Sequence, residues 1–109
     1  MKMTIQKSGI EAGEYTAIFK GCEDVETQYG PGARFIFEVA GSTISRITKP
    51  TATMANATGR IIAGMSGKSL SQGEEVDLDA LVGKQFLITV ETTNGTSTRV
   101  ADRPAPRPM

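Results

Sequence analysis

GSTISRITKPTATMANATGRIIAGMSGKSLSQG, residues 41–73, decides the fold. It opens on a short turn, Gly41-Ser42, and runs into a strand, Thr43 to Thr48, with Ile44 and Arg46 on one face and Ser45 and Ile47 on the other. Pro50 stops that strand, and Thr51 or Thr53 is expected to cap the helix that follows. Met54, Thr58, Ile61, Ile62 and Met65 recur at helical spacing, and Gly67 is the expected C-cap. Gly59 and Gly64 each cost this helix about 1 kcal/mol relative to alanine, so it is marginal alone and is expected to sit close against other elements as a packed plug. The stretch carries Arg46, Lys49, Arg60 and Lys68 and no acid, although the chain as a whole balances 12 basic against 12 acidic residues.

Upstream, Tyr15, Ala17 and Phe19 alternate with Thr16, Ile18 and Lys20, which predicts a strand continuing towards Val25, with Gly21 marking a bulge or sharp bend. Glu23, Asp24 and Glu26 read as a solvated acidic edge at its end. Gln28-Tyr29-Gly30-Pro31-Gly32 is dense in turn formers and closes a hairpin. Ala33, Phe35, Phe37 and Val39 then place four apolar side chains on one face of a second strand, and Arg34, Ile36 and Glu38 point the other way.

Downstream, Glu74, Glu75, Asp77 and Asp79 precede Leu78, Leu81 and Val82 and end at Gly83, the pattern of a single capped turn in preference to a metal loop. Phe86, Ile88 and Val90 alternate with Leu87, Thr89 and Glu91 in a fourth strand. Asn94-Gly95 signals a tight hairpin, and Thr96 to Ala101 is the return strand with Arg99. Residues 1–12 read as a flexible N-terminal arm, 13–102 as the folded domain, and 103–109 as a Pro/Arg-rich disordered tail, stiff and not packed.

The order strand, strand, strand, helix, strand, strand is that of an all-β fold with one helix, the five-stranded OB barrel in which the helix caps one end. An open sheet or small sandwich is the alternative. A chain of 109 residues supports one core of this kind. Zero net charge excludes a global field towards nucleic acid or membrane, so any such affinity must be local. A single cysteine, Cys22, and no histidine leave no internal disulfide, no Cys/His metal site and no histidine-based acid/base catalysis. No glycine-rich segment has the Walker lysine context. Neither a secretory apolar run in the first ten residues nor an apolar stretch near the ~20 residues of a membrane span is present. The expectation is a cytoplasmic protein that is not an enzyme and takes no cofactor or metal.

Glu14-Tyr15-Thr16-Ala17, Tyr29-Gly30-Pro31 ahead of Phe35-Ile36-Phe37-Glu38, and Asp77-Leu78-Asp79-Ala80-Leu81-Val82-Gly83-Lys84 ahead of Phe86-Leu87-Ile88-Thr89-Val90 resemble the small OB-fold proteins of phage and mobile-element replication modules. The resemblance covers residues 13–102. It implies sequence-tolerant binding of single-stranded DNA in replication or recombination. The chain departs from single-strand binders that end in an acidic tail, since it ends in arginines and prolines, and it has no tryptophan and six aromatics.

A single-strand binder needs cations along the backbone and aromatic faces for bases. OB folds use strands two and three and the loops joining strands one to two and four to five. That assigns Arg34, Arg46, Lys49 and Arg99 to phosphates and Tyr29 to stacking. Phe35, Phe37 and Phe86 are assigned to the core, with Tyr15 and Phe19 open to either role. Four phosphate contacts would give a log–log salt slope of about −3. The expected partner is single-stranded nucleic acid, DNA in preference to RNA, and not a membrane. The alternative is an OB adaptor that binds a protein partner through a strand edge or the proline tail.

Overall fold

The computed structural model describes residues 10–53, 55–68, 70–93 and 97–109. Among the described residues six strands, β1 (Gly13–Thr27), β2 (Gly30–Val39), β3 (Ser42–Thr48), β4 (Gln85–Thr93), β5 (Ser97–Val100) and β6 (Arg107–Pro108), and one α-helix, α1 (Ala57–Ser66), follow the expected order, with the short β6 as an addition. They form an antiparallel sheet in the order β3-β2-β1-β4-β5, with β6 also on β4. All ladders among the described residues are antiparallel.

β1 is long because it serves both halves of the sheet. Gly13 to Ile18 pair with β4, and Ile18 to Thr27 pair with β2. The register shifts between Phe19 and Gly21, where Gly21 has φ 140°, a conformation that a side chain at that position would strain. The bulge expected at Gly21 is therefore present. The sheet coils about it, so that β3 and β5, at opposite ends of the strand order, come within 8 Å between Cα atoms.

They are not joined by a ladder, and the expected closed five-stranded barrel is not formed. β5 is only four residues long, and the Val100 carbonyl at its end accepts a side-chain hydrogen bond from Arg46 of β3 (2.9 Å). A backbone partner for that carbonyl is thereby replaced by a guanidinium.

The inward face of β2 carries Ala33, Phe35, Phe37 and Val39, all buried, as period-two alternation predicts. Phe19, Phe37 and Phe86 form a triangle with ring centroids 5.3 to 6.3 Å apart, two of the three pairs edge-on, which fixes Phe19 as a core residue. Tyr15 lies at the rim of the core, half-buried, with its hydroxyl donating to the Glu11 carbonyl at 2.8 Å. The β2–β3 turn is Ala40-Gly41, one residue earlier than Gly41-Ser42, with both residues at positive φ.

The helix cap differs from the sequence expectation. Asn56, not Thr51 or Thr53, is the N-cap. Its Oδ1 accepts from the amides of Gly59 (2.8 Å) and Thr53 (3.1 Å), while its Nδ2 donates to the Thr51 carbonyl (2.9 Å), so one amide side chain caps the helix and folds the preceding loop. Gly67 is the C-cap, as expected, with φ 73°. Thr58, Ile61 and Met65 face the core, while Met54 and the Asn94-Gly95 turn lie outside the described residues. The acidic segment forms the expected turn, a 3-10 helix at Leu78–Leu81 capped by Asp77.

Both ends pack more than their composition predicts. Of the arm, residues 1–9 lie outside the described set, but Ile10 packs against the core and its carbonyl accepts from Thr98 Oγ1 at 2.7 Å. The tail is not a free stiff segment. After β5 the chain leaves the β4 edge, buries Pro106, and returns as β6 to pair Pro108 with Phe86 and Arg107 with Leu87. A Cβ at Gly64 would strike the Pro106 carbonyl and come within 2.7 Å of the Ala105 Cβ. The helix glycine is the seat of the tail, and the tail is the strap over the helix.

Gly64→Ala tests this strap through the sign of its effect. In the full chain the substitution should lower stability in urea unfolding, despite alanine's helix advantage of about 1 kcal/mol. In a chain ending at Asp102 it should raise stability instead, by up to that amount. A gain in the full chain would contradict the packed tail.

Candidate nucleic-acid interface

Alternation along β3 places Arg46 with Ile44, on the core side. Arg46 is 7% exposed, and this corrects its expected place as a solvent-facing groove cation. Its Nη1 donates to the Val100 carbonyl and lies 3.6 Å from Glu91 Oε2, and its Nη2 is 3.1 Å from Asp102 Oδ1. Asp102 Oδ2 in turn accepts from Arg60 Nε at 2.7 Å, and Glu91 Oε2 accepts from Arg99 Nε at 2.6 Å. Five charges therefore run Arg99, Glu91, Arg46, Asp102, Arg60. The chain of contacts ties together β5, β4, β3, the segment after β5, and α1.

Three cations against two anions leave one positive charge in excess. Burial, and after it the neighbouring Arg99, lower the Arg46 pKa, while Asp102 and Glu91 oppose them. A guanidinium remains charged throughout the accessible pH range. Asp102 responds in the usual carboxylate sense. Burial raises its pKa and is the largest single influence, but the hydrogen bond from Arg60 and the charges of Arg46 and Arg60 outweigh it and leave the pKa below its ordinary value. Arg46 Nε is buried and has no acceptor among the described residues, a defect that costs on the order of 1 to 3 kcal/mol if left unmet.

The other expected cations divide in two. Arg34 stands on the outward face directly opposite Glu23, with Nη1 3.4 Å from Oε1. Arg99 stands opposite Glu91. Each has its charge met by a cross-strand acid, Arg99 within the five-charge chain beside Arg46 and Arg34 in a separate pair on the outward face. Lys49, by contrast, is exposed just past β3 and makes no ion pair among the described residues. Tyr29 occupies the tip of the β1–β2 hairpin and is 90% exposed. The turn there is Gln28-Tyr29, held by Thr27 Oγ1 accepting from the Tyr29 amide at 3.1 Å, while Pro31 and Gly32 belong to β2.

Tyr29, Arg46 and Lys49 meet around one open cleft of about 500 Å³ between the hairpin, the end of β3 and the N-terminus of α1. Its remaining walls include Pro31, Ile47 and the first residues of the helix, and no acid lines it. Thr58 Oγ1 donates to the Lys49 carbonyl at 2.7 Å, which locks the backbone of Lys49 to the first turn of α1. The helix end was missed as part of the site, although Asn56 at the head of the apolar stripe is a cap signal in its own right. A second recess of about 480 Å³, between α1 and the loop at 70–74, holds Arg60 and Glu74, whose charges are met by Asp102 and Lys68.

Burial first, then Asp24 and Glu23, push the Cys22 thiol pKa up, which disfavours the nucleophilic thiolate. Among the described residues no three His, Cys, Asp or Glu side chains converge as a metal site, and no helix is long and apolar enough to cross a membrane. No protein-family model matches the chain, and no curated protein matches it.

Asp102→Asn should cost on the order of 3 kcal/mol at neutral pH, the scale for removing one partner of a buried ion pair. Because the folded-state pKa is depressed, this contribution is full above the unfolded value near pH ~4 and is lost as pH falls through the lower folded value. Urea midpoints of the two proteins should therefore differ at pH ~7 and converge towards pH ~2. A constant difference across that range would contradict the depressed carboxylate.

Proposed function

We propose that the protein is a non-enzymatic, sequence-tolerant binder of single-stranded nucleic acid, DNA in preference to RNA, on an OB-type scaffold. The observation that carries the reading is Tyr29, an aromatic ring 90% exposed on the edge of an acid-free cleft that also holds Lys49 and Arg46. A large ring exposed to water is costly for a core and useful to a base, and stacking of one base contributes about 1 to 3 kcal/mol. Strand order supports the scaffold: a three-strand meander, a helix between the third and fourth strands, and a closing hairpin, all coiled about a glycine bulge. The cellular setting that accompanies this proposal is cytoplasmic replication or recombination, as the resemblance to phage and mobile-element proteins implies.

With Arg34 and Arg99 engaged by acids, the cleft offers fewer phosphate contacts than four. With Arg46 buried against Asp102, Glu91 and the Val100 carbonyl, Lys49 alone would give a salt slope of about −0.7. The adaptor alternative loses its free proline ligand, because the tail is packed against α1 and β4.

Fluorescence anisotropy with a labelled oligothymidine of about thirty nucleotides tests the proposal. Binding is expected at low salt, weakening with the shallow slope given above. Tyr29→Ala should weaken it by about fivefold to a hundredfold, and Lys49→Glu should weaken it and flatten the slope. Arg34→Glu, outside the cleft, should change it by less than about threefold, in keeping with a surface pair that contributes little. Absence of binding at low salt, or equal loss from Arg34→Glu and Lys49→Glu, would overturn this reading.

A further inference from the structure

Four large apolar side chains stand exposed among the described residues, Tyr29, Ile47, Val82 and Met109, and two of them, Tyr29 and Ile47, share the cleft. Ile47 lies on the outward face of β3, opposite Arg34 of β2. The other outward residues of that strand, Thr43 and Ser45, are polar, as alternation over a solvated face predicts. Ile47 breaks that pattern and is 50% exposed. Its position is nevertheless fixed. A Cβ at Gly32 would come within 3.3 Å of Ile47 Cγ2 and 3.4 Å of Thr27 Cγ2, so the isoleucine lies against bare β2 backbone beside the threonine methyl. Gly32 is not one of the glycines at positive φ, and what it supplies is room for this contact. With the exposed Pro31, these groups make an apolar wall between Tyr29 at the hairpin tip and Lys49 just past β3.

A ring and a cation suffice for any base beside its phosphate, because every base has a face to stack. An aliphatic wall adds contact with an apolar group on the edge of the base. Among the DNA bases that group is the C5-methyl of thymine. We propose that Ile47 makes the cleft selective for thymine, with the base stacked on Tyr29, its C5-methyl turned to Ile47 and Pro31, and its phosphate at Lys49. The occupant is a nucleotide because the apolar wall is joined to an acid-free rim where Lys49 makes no ion pair among the described residues, which complements an anionic backbone. The inference rests on the proposed single-strand reading and adds a base preference to it. It also gives the preference for DNA a physical source, since uracil lacks the methyl group.

Fluorescence anisotropy on the full chain, comparing oligothymidine with oligodeoxyuridine of equal length, tests the contact, because the two ligands differ only in the C5-methyl. Oligothymidine should bind about threefold to fivefold more tightly, the scale for burying one methyl group. Ile47→Thr keeps a β-branched residue at this exposed strand position and should bring the ratio close to one, chiefly by weakening oligothymidine. Ile47→Val keeps both Cγ methyls and should retain most of the preference. Lys49→Glu should weaken both ligands alike and leave the ratio as it is. Urea midpoints of the two Ile47 variants check that each is folded. Equal affinity for the two ligands in the unsubstituted chain, or a thymine preference that survives Ile47→Thr, would overturn the inference while the single-strand reading stands. Absence of binding to either ligand would overturn both.

Discussion

The guanidinium of Arg46 stands where two sheet ends meet without a ladder. It donates to the Val100 carbonyl of β5 from β3, and it is held by Asp102 and Glu91, which are themselves shared with Arg60 of α1 and Arg99 of β5. A buried cation of this kind is tolerated only when its partners are in place, because removing one of them strands an unpaired charge in low dielectric, at about 3 to 5 kcal/mol. The seam between β3 and β5, the seating of the helix and the floor of the cleft all depend on that one side chain. A hydrophobic seam of the same shape would hold the sheet as well. What it would not do is place a fixed positive charge beneath an open surface.

The helix is seated by close contact more than by propensity. Gly59 lies where a Cβ would fall on the Thr53 carbonyl, and Gly64 lies beneath Pro106 and Ala105. Residues that weaken the isolated helix therefore let the loop before it and the tail after β5 approach its backbone. With the tail in place, α1 is clamped between strap and core, and its N-terminus is aimed at the space between β3 and the β1–β2 hairpin. The same packing explains the destination of the C-terminal prolines. Pro106 fills a buried position, and Arg107–Pro108 extend the β4 edge that β5 leaves uncovered.

Period and punctuation made most of this architecture legible. The alternation in β2, the Gly21 bulge, the Gly67 cap and the Asp77 turn all follow from local rules, because each reports a constraint that acts within a few residues. Barrel closure and the tail depend on contacts distant in sequence, such as Arg46 with Val100 and Gly64 with Pro106, which local patterning does not encode. The site was half legible. Tyr29 among turn formers and Lys49 past a proline-terminated strand stand exposed. Arg34 and Arg99 are matched to acids whose positions depend on strand register. Arg46 carried the contrary signal openly, since it shares a face with Ile44, and its charge drew it to the surface in the reading where its parity placed it inside.

A double-mutant cycle joining Arg46→Met and Asp102→Asn, measured by urea unfolding at neutral pH, isolates the interaction that holds β3 to the segment after β5. A favourable coupling of about 1 to 3 kcal/mol is expected between the two positions. Two single losses that simply add, with coupling near zero, would show that the seam is held by its apolar neighbours and that Arg46 is not its organising contact.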